Sequence, residues 1–180
     1  MKKLFLTVFA VGVLGYSSMA QFHIELGPNF NSPQGDFADA YDLGIGFYIE
    51  PKYAINENID LGLYLGANVF AGGDVAGTNT SLDAQTLNPY LATGTYRFST
   101  NKVTPYAGLG LGLYVAKAVD ITTTSGGVTT TIEGESNSEF GFAPRAGVYV
   151  GRLNLGLAYN LVKDSNFLQF NLGIRILSRD

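Results

Sequence analysis

The stretch PYAGLGLGLYVAKAV, residues 105–119, alternates apolar side chains with glycine and tyrosine. Successive side chains of a β-strand point to opposite faces, so Leu109, Leu111 and Leu113 share one face while Tyr106 and Tyr114 lie on the other. A helix would scatter the leucines around its axis. The run exceeds the usual strand of about five or six residues and suits the roughly 9 to 11 residues that a tilted strand needs to cross a bilayer. It therefore predicts a long strand with two different faces.

The same alternation recurs along the chain and predicts eight strands with no helix. Two prolines fall inside these strands, Pro28 and Pro144, and we expect a β-bulge at each because proline cannot donate to the ladder. The predicted strands cover residues 22–30, 41–50, 59–69, 87–98, 105–119, 140–150, 153–161 and 168–176.

The length of the chain fits one domain, and its composition indicates that something other than water covers part of the surface. The chain has 180 residues, of which only 14% are charged, whereas ordinary soluble domains have about 25%. The chain has no cysteine, which excludes disulfides, thiol catalysis and thiolate metal sites. The formal net charge is −4, and this acidic balance argues against a nucleic-acid partner.

The first residues have the pattern of a secretory signal peptide. Lys2 and Lys3 precede an apolar run over residues 4–15, and Ser18-Met19-Ala20 forms a small-residue cleavage site. The run is shorter than the roughly 20 residues of a membrane-spanning helix. We expect residues 1–20 to be a cleaved signal peptide and residues 21–180 to be a single β-barrel domain.

The connections between the strands alternate in length. The second, fourth and sixth are tight turns, while the first, third and fifth have about ten to twenty residues, as in barrels with short periplasmic turns and longer external loops. The fold of a β-sandwich does not require short and long connections to alternate. The pattern predicts an all-β, eight-stranded antiparallel up-and-down transmembrane β-barrel with both termini in the periplasm.

The interior of an eight-stranded barrel is just wide enough to be filled by side chains. Charges on the polar faces are of both signs and can pair there, as buried charges must. Aromatic side chains near the strand ends, namely Phe22, Tyr41, Tyr53, Tyr96 and Phe98, are expected to form girdles at the membrane interfaces. The predicted interior charge network comprises Glu25, Asp42, Glu50, Lys52, Asp60, Arg97, Arg145 and Arg175, with Lys117 and Glu139 as further candidates.

Several stretches resemble one known family. The segment GDFADAY (35–41) leads into Gly-Ile-Gly (44–46), followed by Pro-Lys-Tyr (51–53) and Leu-Gly-Leu (61–63). Together they are similar to the small porin-like outer-membrane β-barrel family, which includes OmpA transmembrane domains and OmpX. The resemblance covers essentially the whole chain after residue 20. It implies a fold and a location in the outer membrane, and no defined activity.

The fifth connection contains two mirror-image segments. Residues 121–125 (ITTTS) and 128–132 (VTTTI) flank Gly126-Gly127, and a Gly-Gly pair accepts the positive φ angles of a two-residue hairpin turn. β-Branched threonine and isoleucine suit the flanking strands. We predict an external hairpin, which is either an edge that a partner strand can join or a solvated loop without a partner. Its predicted residues are Ile121, Thr123, Gly126, Gly127, Thr130 and Ile132.

Two other groups are weaker candidates for chemistry. His23 shares a strand face with Glu25, and such a pair can activate a hydroxyl or water, but no serine adjoins it and a structural role is favoured. Asp36, Asp39 and Asp42 cluster near the first loop. They lack the spacing of a calcium loop, which favours a solvated acidic rim. We therefore expect no catalytic residue, no metal and no cofactor.

The predicted function is a structural or surface-interaction role in the outer membrane. The external loops, chiefly residues 120–138, would carry any specificity, and the protein would be a monomer that contacts outer-membrane lipid and, through those loops, a possible protein partner. Three alternatives stay open. They are a narrow pore past Arg97, Arg145 and Arg175, a lipid-modifying outer-membrane enzyme, and a soluble lipocalin-like periplasmic ligand carrier, which would turn the leucines inward.

Overall fold

The computed structural model describes residues 22–72, 84–98, 102–118, 121–125, 128–132 and 136–176. Ten strands form in these ranges, together with one 3-10 helix, Gly35–Phe37. The strands are β1 Phe22–Pro33, β2 Tyr41–Ala54, β3 Ile59–Gly72, β4 Gln85–Arg97, β5 Val103–Ala118, β6 Ile121–Ser125, β7 Val128–Ile132, β8 Ser136–Val150, β9 Leu153–Val162 and β10 Phe167–Ile176.

Eight of the strands close into a barrel. Their order around it is β1-β10-β9-β8-β5-β4-β3-β2, and every neighbouring pair is antiparallel. Closure removes the unpaired edges that an open sheet would expose. The structure confirms the predicted eight-stranded antiparallel up-and-down barrel. Within the described ranges, none of the helical structure is long and apolar enough to cross a membrane.

The two ends of the barrel differ. We call the end with the connections 55–58, 98–102 and 151–152 the turn end. We call the end with the connections 34–40, 73–84, 119–135 and 163–166 the loop end. The two short strands β6 and β7 pair only with each other, in a separate two-stranded sheet within the longest loop-end connection.

The barrel is apolar outside and polar inside. On β5, Leu109, Leu111 and Leu113 are 43–49% exposed on the outer face, while Tyr106 and Tyr114 are buried inside. The charged side chains of Glu25, Glu50 and Lys52 are fully buried. A lipocalin-like carrier needs the opposite arrangement, with the leucines around an internal ligand, so the structure contradicts that alternative.

The two prolines inside strands do not mark bulges, contrary to the prediction. Pro28 and Pro144 both lie on the outer face, and the pairing of their strands keeps the same register before and after each proline. At each proline, two consecutive residues are unpaired with one of the two neighbouring strands. The missing N–H of proline therefore removes a hydrogen bond locally and does not change the register. The flanking pairs are Leu26–Ile174 and Asn29–Asn171 for Pro28, and Phe142–Leu161 and Arg145–Ala158 for Pro144.

A register shift does occur near the start of β2, between Tyr41 and Gly44. The extra residue on β2 changes which side chains point inward, as β-bulges do. Tyr41 is half-buried and packs on Phe37, with ring centroids 5.0 Å apart, whereas Asp42 is exposed. The predicted interior position of Asp42 is therefore wrong. Tyr41 likewise leaves the predicted aromatic girdle, while Phe22, Tyr53, Tyr96 and Phe98 are exposed on the outer face.

Glycines on the inner face leave room for tyrosines that reach across the narrow interior. A Cβ atom added at Gly147 or at Gly156 would lie 2.6 Å from the hydroxyl of Tyr106. A Cβ atom at Gly173 would collide with the hydroxyl of Tyr48. The alternation of glycine and tyrosine thus lets large rings fill a barrel of this size.

Candidate functional site

An ion pair between β2 and β8 crosses the middle of the barrel. Arg145 donates two hydrogen bonds of 2.8 Å to the two carboxylate oxygens of Glu50. Thr93 on β4 donates a third, of 2.7 Å, to the same carboxylate. A two-pronged pair of this kind is both strong and geometrically specific. It ties together three strands that are not neighbours in the barrel.

Glu25 is the second buried carboxylate, on β1. It accepts hydrogen bonds from Tyr48 at 2.6 Å and from Lys52 at 3.0 Å, and further bonds from Tyr149 and Asn154. Buried charges are tolerated only when they are paired and hydrogen-bonded, and this carboxylate satisfies both conditions.

Lys52 joins the two carboxylates into one network. Its ammonium group lies 3.0 Å from Glu25 and 3.2 Å from Glu50 and donates to the hydroxyl of Tyr149 at 2.9 Å. All three donors of the ammonium therefore have partners. We name Glu25, Glu50, Lys52 and Arg145 the central network.

A second group of polar residues lies between the central network and the turn end. Arg97 approaches Asp60 to 3.1 Å, and the guanidinium of Arg175 lies over the ring of Tyr149, 4.2 Å from its centroid. His23 is 5% exposed and stands opposite Lys52 in the β1–β2 register. Several buried atoms here lack hydrogen-bond partners among the described residues, namely Nε2 of His23, both carboxylate oxygens of Asp60, Nε of Arg97, and Nε and Nη2 of Arg175.

Aromatic side chains fill the loop end of the interior. Phe70 packs edge-on against Phe37 and Phe167, at centroid distances of 5.0 and 5.4 Å. Tyr114 packs against Phe167 and donates a 2.7 Å hydrogen bond to Asn160. Phe37 belongs to the 3-10 helix of the first connection, so a residue of the loop contributes to the plug. We name Phe37, Phe70, Tyr114 and Phe167 the aromatic plug.

A small cavity separates the central network from the aromatic plug. Its volume is about 10 Å³, and its lining includes Tyr64, Leu91, Arg145 and Asn160. This is room for about one water molecule. The described side chains thus fill the interior on both sides of the cavity, and this packing opposes the narrow-pore alternative.

The predicted interior charges fall into three groups in the structure. Six are inside and form ion pairs: Glu25, Glu50, Lys52, Asp60, Arg97 and Arg145. Arg175 is half-buried near the turn end, and Asp42 lies outside. Of the two further candidates, Lys117 is exposed and Glu139 is half-buried towards the loop end.

Sequence reasoning missed the neutral partners of the network. Tyr48, Tyr149, Asn154 and Thr93 supply hydrogen bonds to the two buried carboxylates. The signal for the tyrosines was present, because they alternate with outward residues on the same faces as the charges. Their specific partners depend on which strands face each other across the barrel, which strand periodicity does not contain.

The predicted hairpin is present as paired backbone. β6 and β7 are antiparallel, with Ile121 opposite Ile132 and Thr123 opposite Thr130. Gly126 and Gly127, the predicted turn, lie outside the described residues.

The weak catalytic candidate does not have the geometry of an enzyme acting on lipid. His23 points into the barrel rather than towards the outer, apolar face, so a lipid on that face cannot reach the imidazole. Across the described ranges, no group of three or more histidine or acidic side chains is placed to hold a metal ion.

Two solved structures are similar to this chain over most of its length. One is Ail, the attachment invasion locus protein of Yersinia pestis, in complex with the heparin analogue sucrose octasulfate, with 19% identity, a TM-score of 0.52, and coverage of 87% of this chain and 98% of that one. The other is neisserial surface protein A, with 20% identity, a TM-score of 0.54, and coverage of 86% and 95%. No protein-family model and no curated protein matches the sequence. The chain therefore has the fold of the small eight-stranded β-barrels to which Ail and neisserial surface protein A belong.

Proposed function

We propose that this chain is an outer-membrane β-barrel with a structural or surface-interaction role, and that its external loops, chiefly residues 120–138, carry any specificity. One observation carries the proposal, namely the apolar outer face of a closed barrel with buried charges. Soluble monomers rarely expose contiguous apolar patches larger than a few hundred Å². Here large apolar side chains cover the outer face on every strand of the barrel. A bilayer removes the free-energy cost of exposing these side chains to water. Closure of the barrel gives the backbone N–H and C=O groups the hydrogen bonds that lipid cannot provide.

The proposal includes the processing and the partners predicted from the sequence. Residues 1–20 act as a cleaved signal peptide, and residues 21–180 form the mature barrel. Outer-membrane lipid covers the apolar face, and the protein works as a monomer without a nucleic-acid partner or a cofactor. The cavity between the central network and the aromatic plug holds about one water and is too small for a substrate. This supports a role other than catalysis.

The charge of the loop end disfavours one class of partner. The described loop end carries Asp36, Asp39, Asp42, Glu139 and Asp164 against Lys117 and Lys163. The structure of Ail contains a sulfated saccharide, but an acidic rim repels polysulfates. For this chain we propose instead a protein partner that pairs with the hairpin of β6 and β7, since an edge strand of a two-stranded sheet offers backbone hydrogen bonds to an added strand.

The surface position of the hairpin can be tested in intact cells. An epitope tag is inserted between Gly126 and Gly127, and as a matched control between Glu57 and Asn58 in a turn of the opposite end. Antibody added outside intact cells should label only the first insertion, and both after permeabilisation. Labelling of the control alone would reverse the orientation, and labelling of neither insertion in intact cells would remove the external hairpin from the proposal.

A further inference from the structure

From the central network to the turn end, the described interior has one more positive than negative charge. The interior cations Lys52, Arg97, Arg145 and Arg175 are opposed there by the carboxylates of Glu25, Glu50 and Asp60. Lys52 and Arg145 are matched by Glu25 and Glu50, and Arg97 is matched by Asp60. Within the described part of the chain, Arg175 has no ion pair. Its guanidinium packs on the ring of Tyr149, which carries no charge.

Four residues bring unused hydrogen-bonding capacity to this end, namely His23, Arg97, Arg175 and also Asp60, whose two carboxylate oxygens have no hydrogen-bond partner among the described residues. His23 is the first inward residue of β1, Arg97 is the last of β4, and Arg175 is the last described inward residue of β10. His23 is 5% exposed, and its Nε2 atom has no partner among the described residues. Nε of Arg97, and Nε and Nη2 of Arg175, are also unbonded there. Buried polar groups without partners are rare and call for an explanation.

We propose that Arg97 and Arg175, at this mouth of the barrel, bind the phosphate group of an acidic phospholipid headgroup. The guanidinium fork of arginine matches the geometry of phosphate oxygens, and it donates two parallel hydrogen bonds where lysine donates as a point charge. Arg97 and Arg175 are only half-buried, but their unbonded nitrogen atoms are buried, so a phosphate has to enter the mouth to reach them. Asp60 opposes an anion, because both of its carboxylate oxygens lack hydrogen bonds among the described residues, but Arg97 lies 3.1 Å from one of them and offsets its charge.

The surroundings of the mouth favour a lipid as the source of the phosphate. Phe22, Tyr53, Tyr96 and Phe98 are 42–62% exposed on the outer face at this end. Aromatic side chains are enriched at the level of lipid headgroups, so the mouth lies where headgroups lie. Lys102 in the neighbouring turn is exposed and adds a positive charge. This step rests on the proposed location of the barrel in a membrane.

The phosphate chemistry can be tested without a membrane. Inorganic phosphate is titrated into the folded protein in a neutral detergent, with chloride at equal ionic strength as the reference, while the arginine Nε–H signals are followed by NMR. The signal of Arg175 should shift with saturation. Arg175→Gln should weaken phosphate binding about tenfold, the size expected for losing a hydrogen bond to a charged group. Lys163→Gln, which removes one charge at the loop end, should bind as the wild type does.

A conservative variant and a second experiment with phospholipids complete the test. Arg175→Lys keeps the charge and loses the fork, so intermediate binding is expected even if the glutamine variant fails to fold. By native mass spectrometry from mixed micelles, the wild type should retain phosphatidic acid in preference to phosphatidylcholine, and Arg175→Gln should lose the preference. No phosphate-dependent shift in the wild type, or equal binding by Arg175→Gln, would overturn the site. Phosphate binding without a preference for phosphatidic acid would overturn the lipid as its ligand. The detergent titration does not depend on cell location, so its outcome is independent of the proposed function.

Discussion

Arg145 on β8 and Glu50 on β2 join opposite walls of the barrel through two hydrogen bonds of 2.8 Å. Going either way around the barrel, the two strands are four steps apart. The pair therefore holds the two walls together at the middle of the barrel. Lys52 connects it to Glu25 on β1, so the wall-to-wall contact and the neighbouring strands act as one unit.

Removing the Glu50 carboxylate should destabilise the barrel strongly. In Glu50→Ala, Arg145 loses its ion-pair partner and Lys52 loses one of two, and breaking a buried pair in this way costs about 3–5 kcal/mol. The free energy of unfolding, measured by urea titration in lipid or detergent, should fall by that order.

The matched control for that variant is Glu57→Ala in an exposed turn. Surface substitutions of this kind change stability by about 0.5 kcal/mol or less. Equal stability of the Glu50 and Glu57 variants would mean that the central network does not hold the barrel together.

Glycine at position 156 should be required by the tyrosine that it faces. In Gly156→Ala the new methyl group meets the hydroxyl of Tyr106 at 2.6 Å, and overpacking typically costs about 1–3 kcal/mol. Gly94→Ala is the control, since its nearest contact is Leu61 Cδ2 at 3.8 Å. Thermal unfolding should distinguish the two variants, and an unchanged midpoint for Gly156→Ala would contradict the packing argument.

The barrel should not conduct ions. The central network and the aromatic plug fill the described interior, and the cavity between them holds about one water. In planar bilayers we expect no steady single-channel current. Currents that change when Arg97, Arg145 or Arg175 is replaced would show a continuous water path and restore the pore hypothesis.

The hairpin of β6 and β7 should be dispensable for folding. Its strands pair with each other and not with the barrel. Deletion of residues 121–132, with the ends joined by a short glycine-serine linker, should leave the unfolding midpoint of the barrel unchanged because loop length alters stability only weakly. A large loss of stability would assign the hairpin a structural role instead of a surface-interaction role.

The sequence contained enough to predict the barrel and most of the charged residues in its interior. The leucine–glycine alternation of β5 and the loop parity led to eight antiparallel strands, which the structure confirms. The alternation of side chains along each strand was enough to predict that Glu50 and Arg145 point inward. Their pairing was not predictable, because it depends on the position of each strand around the closed barrel, which local periodicity does not specify.

Two predictions from the sequence were wrong, each for one physical reason. The inward assignment of Asp42 failed because an extra residue between Tyr41 and Gly44 changes the side-chain parity, and no glycine or proline marks the shift in the sequence before Gly44. The bulges expected at Pro28 and Pro144 are absent because each proline faces outward at a skipped part of one ladder. The aromatic plug also escaped prediction, since Phe37 reaches it from a connection and not from a strand.

The most direct test of the central claim is cell fractionation followed by a heat-modifiability gel on unboiled and boiled samples in detergent. A closed barrel in the outer membrane should appear in the outer-membrane fraction and change mobility on boiling, because the folded barrel resists the detergent until it is heated. Recovery in the soluble periplasmic fraction, or a mobility that is the same before and after boiling, would contradict a membrane-embedded barrel with an apolar outer face.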